Sequence, residues 1–243
     1  MSLTAEQARR SYVLVHGGGY GGWAWKPVAR LLRAAGHEVY APTLSGLAER
    51  SGTPHASITL QCHIDEIVGL MAWEDLTDVV LVAHSYGGFV ITGAADAAPE
   101  RIATLVYLDA FVPEDGQSLA SILGDGHFAL SKVSPDGASL EMPITPAAGL
   151  TAERKAWLKA QTYRHPVATV REPIRLTGAW DRVSRKVYVQ ATGWRGLGGA
   201  DHFTTSHDRA VGRADWDAVR LDVGHDLMLE APQAVTDLLL RYA

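Results

Sequence analysis

One stretch near the middle of the chain, residues 79–91, constrains the fold more than any other. It begins with the apolar run VVLVA, whose length suits a strand buried on both faces of a parallel sheet and is too short for a buried helix. A turn of the form small-x-Ser-x-Gly follows, and beyond it small residues are mixed with bulky ones such as Phe89 and Ile91. This pattern predicts a helix packed closely on the strand that precedes it.

Ser85 would stand at the sharp corner between that strand and that helix. Such a corner exposes the hydroxyl and leaves the first backbone N–H groups of the helix free to stabilise an oxyanion. The motif therefore predicts a nucleophilic serine. A five-residue pattern also occurs by chance, and Ala83 replaces the more common first glycine, so an ordinary turn serine is the alternative.

Length and charge narrow the class of protein. With 243 residues and 47% hydrophobic composition, the chain can bury one large core, and we predict a single domain spanning residues 1–243. Its net charge is −5, from 22 basic and 27 acidic residues that are interspersed, which favours neither nucleic acid nor an anionic membrane as a partner. The single Cys62 excludes an internal disulfide and a zinc site of the Cys-x-x-Cys type.

The sequence lacks the apolar segments that target or anchor proteins in membranes. Residues 1–10 are polar, without the apolar centre of a signal peptide, and no apolar run has the length of a transmembrane helix. We therefore expect a cytoplasmic protein without membrane contacts that acts on a small molecule. The sequence does not indicate an oligomeric state, and a homodimer stays open as one alternative.

A glycine-rich loop follows the first predicted strand, residues 12–15. It reads HGGGYGGW, with five glycines in the six positions from Gly17 to Gly22, so its backbone N–H groups can approach a ligand closely. A phosphate loop is the competing interpretation, but the Gly-Lys-Ser/Thr of a P-loop is missing and the spacing does not fit a dinucleotide site. The loop suits an oxyanion better, and the predicted donors are the N–H groups of Gly18 and of Tyr86, which follows the serine.

Strand and helix patterns alternate along most of the chain. Further strands are predicted at residues 38–41, 102–108, 186–191 and 218–223, and helices at residues 27–35, 57–73, 205–211 and 231–242. This alternation predicts an α/β fold with a mostly parallel sheet, helices on both faces and a site at the carboxyl ends of the strands. Residues 112–176 interrupt the pattern with several prolines and two helical pieces, at 118–123 and 152–163, and we predict an inserted helical cap there.

Asp109 and His225 directly follow two of the predicted strands, so with Ser85 they would meet at one edge of the sheet. A serine attacks a carbonyl when a histidine takes its proton and an acid holds that imidazole in the right tautomer. Of ten histidines, only His225 ends the last strand. No carboxylate directly follows the strand at 186–191, so we assign Asp109 as the acid, with Asp201 as the alternative. Asp226 would struggle to reach the ring of its own neighbour.

The order serine, acid, histidine, together with the early His-Gly-Gly-Gly loop, resembles the α/β-hydrolase superfamily from residue 12 to residue 242. The resemblance implies an α/β-hydrolase fold and a serine hydrolase that needs neither a metal nor an organic cofactor. Many members carry the acid after the next-to-last strand. Asp109 occupies the alternative location that some members use, such as certain haloalkane dehalogenases.

Three further stretches, WKPVARLLRAAGHEV, APTLSGL and YLDAFVPEDG, narrow the resemblance within the superfamily. They are similar to bacterial ester and carbamate hydrolases, including the carbendazim-hydrolysing type, and to the plant group of methyl esterases and hydroxynitrile lyases. The resemblance implies hydrolysis of a small carboxylic ester or carbamate ester through an acyl-enzyme on Ser85, with His225 as general base and then general acid.

Two alternative functions stay open. The first is a hydroxynitrile lyase, a C–C lyase, although Asp226 and Gly17 occupy the positions of the lysine and threonine of the plant lyases. The second is a ligand-binding receptor with little turnover, since some plant hormone receptors keep this fold and triad. Dehalogenation is disfavoured because the predicted nucleophile is a serine.

We predict the residues of the substrate pocket from the glycine and aromatic residues near the expected site. The candidates for its wall are Gly17, Trp23, Phe111, Phe128 and Trp157, with Trp25 and Tyr86 as further aromatic candidates. Together they would accept an apolar or aromatic group.

Overall fold

The computed structural model describes residues 9–124, 132–142, 150–162, 164–194 and 202–243. The strands are β1 (Ser11–Val15), β2 (Glu38–Tyr40), β3 (Val79–His84), β4 (Ile102–Leu108), β5 (Ser139–Glu141), β6 (Arg164–Pro166), β7 (Arg185–Ala191) and β8 (Trp216–Leu221). The helices are α1 (Lys26–Ala34), α2 (Leu60–Trp73), α3 (Gly87–Ala97), α4 (Leu119–Leu123), α5 (Ala152–Gln161), α6 (Val167–Arg171), α7 (His202–Ala210), α8 (Leu227–Glu230) and α9 (Pro232–Arg241).

Six strands form one sheet in the order β2-β1-β3-β4-β7-β8, and every neighbouring pair is parallel. The chain runs from β1 outward to β2 and then returns to the other side of β1, so the strand order reverses there. Open parallel sheets bind ligands outside the carboxyl ends of the strands at such a reversal. The predicted α/β architecture with a mostly parallel sheet is confirmed.

The central strand β3 explains why the sheet is covered on both faces. All six of its residues are buried, and alternate side chains point to opposite faces. Leu81 and Ala83 belong to a core cluster with apolar residues of α2 and α3, whereas Val80 and Val82 belong to a second cluster with residues of α1 and α9. Burying one such side chain contributes about 1.5–3 kcal/mol, so the apolar run strongly favours this central position.

The predicted boundaries of the inner strands agree with the structure to within one residue, but those of other elements differ. The last strand occupies residues 216–221 and not 218–223, because β8 is an edge strand whose half-exposed residues give no sharp apolar boundary. The helix predicted from residue 57 begins at Leu60, where the Thr59 hydroxyl accepts a hydrogen bond from the N–H of Cys62 at 3.2 Å. The helix predicted at 205–211 covers residues 202–210.

Residues 112–176, called the insert below, contain more regular structure than the two predicted helices. The insert holds α4, α5 and α6, and also a small antiparallel sheet of β5 and β6 that the sequence pattern did not indicate. Each of these strands has only three residues, too few for a periodic signal. No helix of the described residues is long and apolar enough to cross a membrane.

Candidate active site

Ser85 lies at the corner between β3 and α3, as its motif predicts. Its backbone has a φ of +52°, in the left-handed region where a residue with a side chain is strained. The corner is compact because α3 starts close to the end of β1: a Cβ atom added to Gly87 would lie 2.8 Å from the carbonyl oxygen of His16. Ser85 itself is half-buried, so its hydroxyl sits at the surface of this edge.

The glycine loop, residues 16–22, runs beside this corner. A Cβ atom added to Gly17 would lie 2.7 Å from the Nδ1 of His84 and 3.1 Å from the Cβ of Ser85, so only glycine fits there without displacing a neighbour. The N–H groups of Gly18 and Tyr86 have no hydrogen-bond acceptor among the residues that the structure describes. Both are therefore available as donors to a bound anion.

Two histidines hold the glycine loop in position. His16 donates from Nδ1 to the carbonyl of Gly17 at 2.8 Å, and its Nε2 accepts from the N–H of Leu44 at 3.1 Å. His165, in β6 of the insert, accepts at Nδ1 from the N–H of Gly19 at 3.2 Å. Both rings are fully buried, and burial lowers the pKa of His16 to about 4 and that of His165 well below its usual value. Both histidines are neutral at pH 7, which their acceptor roles require.

Asp109 and His225 form a hydrogen-bonded pair at the same edge of the sheet. The Nδ1 of His225 donates to the Oδ2 of Asp109 at 2.7 Å, so in the neutral ring the Nε2 carries the lone pair that a base needs. Asp109 follows β4, has a φ of +44° and is completely buried, whereas the side chain of His225 is 13% exposed. The ring centroid of His225 is 4.5 Å from that of His84, the residue next to Ser85, so the pair lies near the corner that carries Ser85.

The carboxylate of Asp109 receives two further hydrogen bonds, from the last residue of β7 and from the segment that follows it. Its Oδ1 accepts from the N–H of Ala191 at 3.0 Å, and its Oδ2 accepts from the indole Nε1 of Trp194 at 2.8 Å. This is the segment in which the sequence shows no carboxylate. Sequence reasoning missed Trp194, because a contact across the fold leaves no local pattern.

His84 supports His225 from the opposite side, a role that the sequence did not reveal. It is fully buried, and its Nε2 donates to the backbone carbonyl of His225 at 3.0 Å. Burial keeps the pKa of His84 well below the usual value, and the nearby His225 adds to that effect. A neutral ring therefore anchors the turn after β8 that carries His225.

Among the described residues, Asp226 makes no hydrogen bond with the ring of His225, as expected for its chain neighbour. It is completely buried, and its Oδ1 accepts from the hydroxyl of Tyr20 at 2.8 Å. Burial raises the pKa of Asp226, while the charge of His225 and the Tyr20 hydrogen bond act in the opposite direction. The alternative acid Asp201 lies outside the described residues.

Of the predicted pocket residues, Trp23, Trp157 and Phe111 belong to two aromatic groups. Trp23 stacks on Tyr20 and meets the ring of Trp157 edge-on at 5.1 Å, and Trp157 is itself 36% exposed. Phe111 packs on Phe203 at 5.0 Å, and Phe203 in turn lies 5.3 Å from the ring of His225. Phe128 lies outside the described residues.

Trp25 and Tyr86, the further aromatic candidates, pack inside the protein. Both are completely buried, and Trp25 packs within the core on the α1 side of the sheet. The hydroxyl of Tyr86 donates to the Nδ1 of His63 at 2.9 Å, and its ring lies 4.8 Å from that of His165. Sequence alone cannot separate buried aromatic residues such as these from ones that face a ligand.

Comparison with known sequences supports the same family over nearly the full length. The alpha/beta hydrolase family model matches residues 12–238. A carbendazim-hydrolysing esterase of Nocardioides sp. (strain SG-4G) is 34% identical over 240 residues, which cover 94% of this chain and 98% of that esterase. Methylesterase 8 of Arabidopsis thaliana is 34% identical over 154 residues, which cover 61% of this chain but only 55% of the plant protein.

Solved structures agree with the fold. An extracellular alpha/beta-hydrolase from a Paenibacillus species superposes with a TM-score of 0.81 at 22% identity, covering 96% of this chain and 99% of that one. Polyneuridine aldehyde esterase superposes with a TM-score of 0.77 at 23% identity, covering 96% and 98%. At such identities the likeness is one of fold. The predicted resemblance is confirmed: the chain belongs to the alpha/beta hydrolase family.

Proposed function

We propose that this protein is a serine hydrolase that cleaves a small carboxylic ester or carbamate ester, with Ser85, His225 and Asp109 as its catalytic residues. The observation that carries the proposal is the hydrogen bond of 2.7 Å between the carboxylate of Asp109 and the Nδ1 of His225, at the sheet edge where Ser85 occupies a left-handed corner. The 34% identity to a carbendazim-hydrolysing esterase over nearly the whole chain supports the ester-cleaving reaction.

The reaction proceeds in two halves. The Nε2 of His225 takes the proton of the Ser85 hydroxyl as its oxygen attacks the carbonyl carbon, and the protonated ring then gives that proton to the departing alcohol. The acyl group stays on Ser85 until water, activated by the same nitrogen, releases it. Asp109 holds the ring in the required tautomer and stabilises its positive charge, which a buried carboxylate does more strongly than an exposed one.

The negative charge that develops on the carbonyl oxygen is stabilised by the N–H groups of Gly18 and Tyr86. Their freedom from acceptors among the described residues supports this role. One such donor is worth roughly a hundred- to a thousand-fold in rate.

The insert serves as a cap beside this site. Three of its contacts support that role, two with the glycine loop and one with the neighbouring Trp23. His165 accepts from Gly19, the methyl group of Met142 lies 2.6 Å from where a Cβ of Gly18 would be, and Trp157 meets Trp23. In a cap, the residues facing the glycine loop select which esters fit.

A panel of methyl esters, aryl esters and methyl carbamates tests the proposal. The turnover of each substrate is measured for the wild type and for Ser85→Ala. We expect turnover of at least one class by the wild type and a loss of about a million-fold in kcat for Ser85→Ala, because the nucleophile is gone. The variant should keep its thermal stability, since Ser85 is half-buried and its side chain holds no core position. A Ser85→Ala protein that retains a tenth of the activity contradicts the mechanism.

The same panel with a cyanohydrin added separates the two rival functions. A hydroxynitrile lyase needs a positive charge to stabilise cyanide, and the residue after His225 is the buried acid Asp226, so we expect no release of cyanide from a cyanohydrin. A receptor would bind an ester and turn it over once or not at all. Repeated turnover of a nitrophenyl ester excludes a pure receptor.

A further inference from the structure

We propose that Trp194 is a positioning residue for the histidine of this site, acting on it through Asp109 and through direct ring contact. The inference rests on the proposed function, because it takes the Asp109–His225 pair as the acid and base of the reaction. It adds a fourth side chain, one that is neither an acid nor a base.

The first observation is that two donors converge on one carboxylate oxygen. The Oδ2 of Asp109 accepts from the Nδ1 of His225 at 2.7 Å and from the Nε1 of Trp194 at 2.8 Å. Asp109 is completely buried, so its charge depends on protein donors in place of water. Among the described residues these donors number three, and the indole N–H is the only one on a side chain besides that of His225.

The second observation is that the ring of Trp194 packs on the ring of His225. Their centroids are 4.4 Å apart with the planes tilted by 38°, and Phe203 lies 5.7 Å from Trp194 and 5.3 Å from His225. A positively charged imidazole ring is attracted to an aromatic face at this distance. One side chain thus contacts both members of the pair, the acid through its N–H and the histidine through its ring.

The third observation is that the backbone before Trp194 is fixed. The N–H of Thr192 donates to the carbonyl of Leu221 and the N–H of Gly193 donates to that of Val223, each at 2.8 Å. A Cβ atom added to Gly193 would lie 2.8 Å from the carbonyl of Val223, so glycine permits this close approach. The indole is therefore delivered to Asp109 by a segment tied to the end of β8, next to the turn that carries His225.

These contacts assign two separable effects to Trp194. Its N–H shares the Oδ2 of Asp109 with His225, which fixes the carboxylate but also takes up part of its negative charge. Its ring favours the positively charged form of His225. Removing only the N–H leaves more of the carboxylate charge for the imidazolium ring, so the acid limb of the kcat/KM profile should move to higher pH. Removing the ring as well should move the acid limb of the profile back toward lower pH.

The test compares Trp194→Phe, which keeps a ring but lacks the N–H, with Trp194→Leu, which lacks both. The matched control is Trp73→Phe, the same change at a side chain that is 92% exposed. With a nitrophenyl ester we expect Trp194→Phe to lose about tenfold in kcat with KM changed less than twofold, since only the orientation of the pair suffers. The acid limb of Trp194→Phe should lie at higher pH than that of the wild type, and the acid limb of Trp194→Leu should lie at lower pH than that of Trp194→Phe.

A readout without substrate separates this inference from the proposed function. The Nδ1 proton of His225 gives a far-downfield ¹H NMR signal while it is hydrogen bonded to Asp109, and that signal should shift in Trp194→Phe and stay unchanged in Trp73→Phe. Should Trp194→Phe not fold, the indole Nε1 proton of the wild type can be followed instead, and it should shift in Asp109→Asn. An unchanged proton signal together with an unchanged pH profile overturns the role of Trp194. Activity retained by Ser85→Ala overturns only the proposed function.

Discussion

The Asp109–His225 pair and the glycine loop lie at the same edge of the sheet but are held by different means. The carboxylate of Asp109 is held by the sheet itself, through donors from the end of β7 and the segment that follows it. The glycine loop is held by two neutral histidines, and one of them, His165, belongs to the insert. The Asp109–His225 pair should therefore tolerate changes in the insert, whereas the glycine loop should respond both to such changes and to protonation of its histidines.

The largest expected effect concerns the pair. Asn in place of Asp109 keeps the shape but can offer an N–H to His225 and so favour the wrong tautomer, for which a loss of about ten-thousand-fold in kcat is expected. The controls are Asp226→Asn, which alters a buried carboxyl bonded to Tyr20, and Asp201→Asn. Each control should lose far less activity than Asp109→Asn in a nitrophenyl ester assay, with folding checked by circular dichroism. Equal losses in Asp109→Asn and Asp226→Asn would contradict the assignment of the acid.

A smaller effect is expected when the insert releases the glycine loop. His165→Leu removes the acceptor for the N–H of Gly19, and one hydrogen bond is worth about 1 kcal/mol, so kcat should fall by about fivefold. His165→Asn retains an oxygen near the position of Nδ1 and should recover most of that loss. The downfield proton of His225 should be the same in both variants. A change in that signal, or no difference between Leu and Asn, would show that the two regions are not held independently.

The smallest effect concerns stability in mild acid. Burial lowers the pKa of His16 from 6.5 to about 4, so its contribution to the free energy of unfolding is complete above pH 6.5 and is lost as the pH falls toward 4. Between about pH 7 and pH 5 this loss amounts to roughly 2 kcal/mol at 1.36 kcal/mol per pH unit.

His16→Asn should remove most of that pH dependence, whatever it does to stability at pH 7. Urea unfolding at both pH values measures the difference. An identical pH dependence in His16→Asn and the wild type would mean that His16 does not remain neutral in the folded chain.

The difference between the Asp109–His225 pair and the glycine loop also explains which contacts could be predicted from the sequence. Ser85, Asp109 and His225 each follow a strand of the sheet, and the apolar runs of β3 and β4 locate those strand ends almost to the residue. Parallel strands then bring their ends together whatever lies between them in the sequence. The fold and the Asp109–His225 contact could be predicted from the sequence for this reason.

The residues that hold Asp109 and the glycine loop in place show no comparable pattern in the sequence. The indole of Trp194 reaches Asp109 across 85 positions of sequence, and His165 reaches Gly19 across 146. The insert builds its small sheet from strands of three residues, in which an alternating pattern cannot be recognised. Side-chain contacts of this kind depend on packing between elements, which a single sequence does not encode locally.

Trapping of the acyl-enzyme tests the central claim, attack by Ser85 on an ester carbonyl, most directly. The protein is mixed with a nitrophenyl ester that deacylates slowly, quenched in acid, digested and analysed by mass spectrometry. We predict the mass of one acyl group on the peptide that contains Ser85, and its absence from Ser85→Ala and from His225→Ala treated in the same way. An acyl group on a different residue, or rapid hydrolysis of the ester with Ser85 replaced by alanine, would contradict the account.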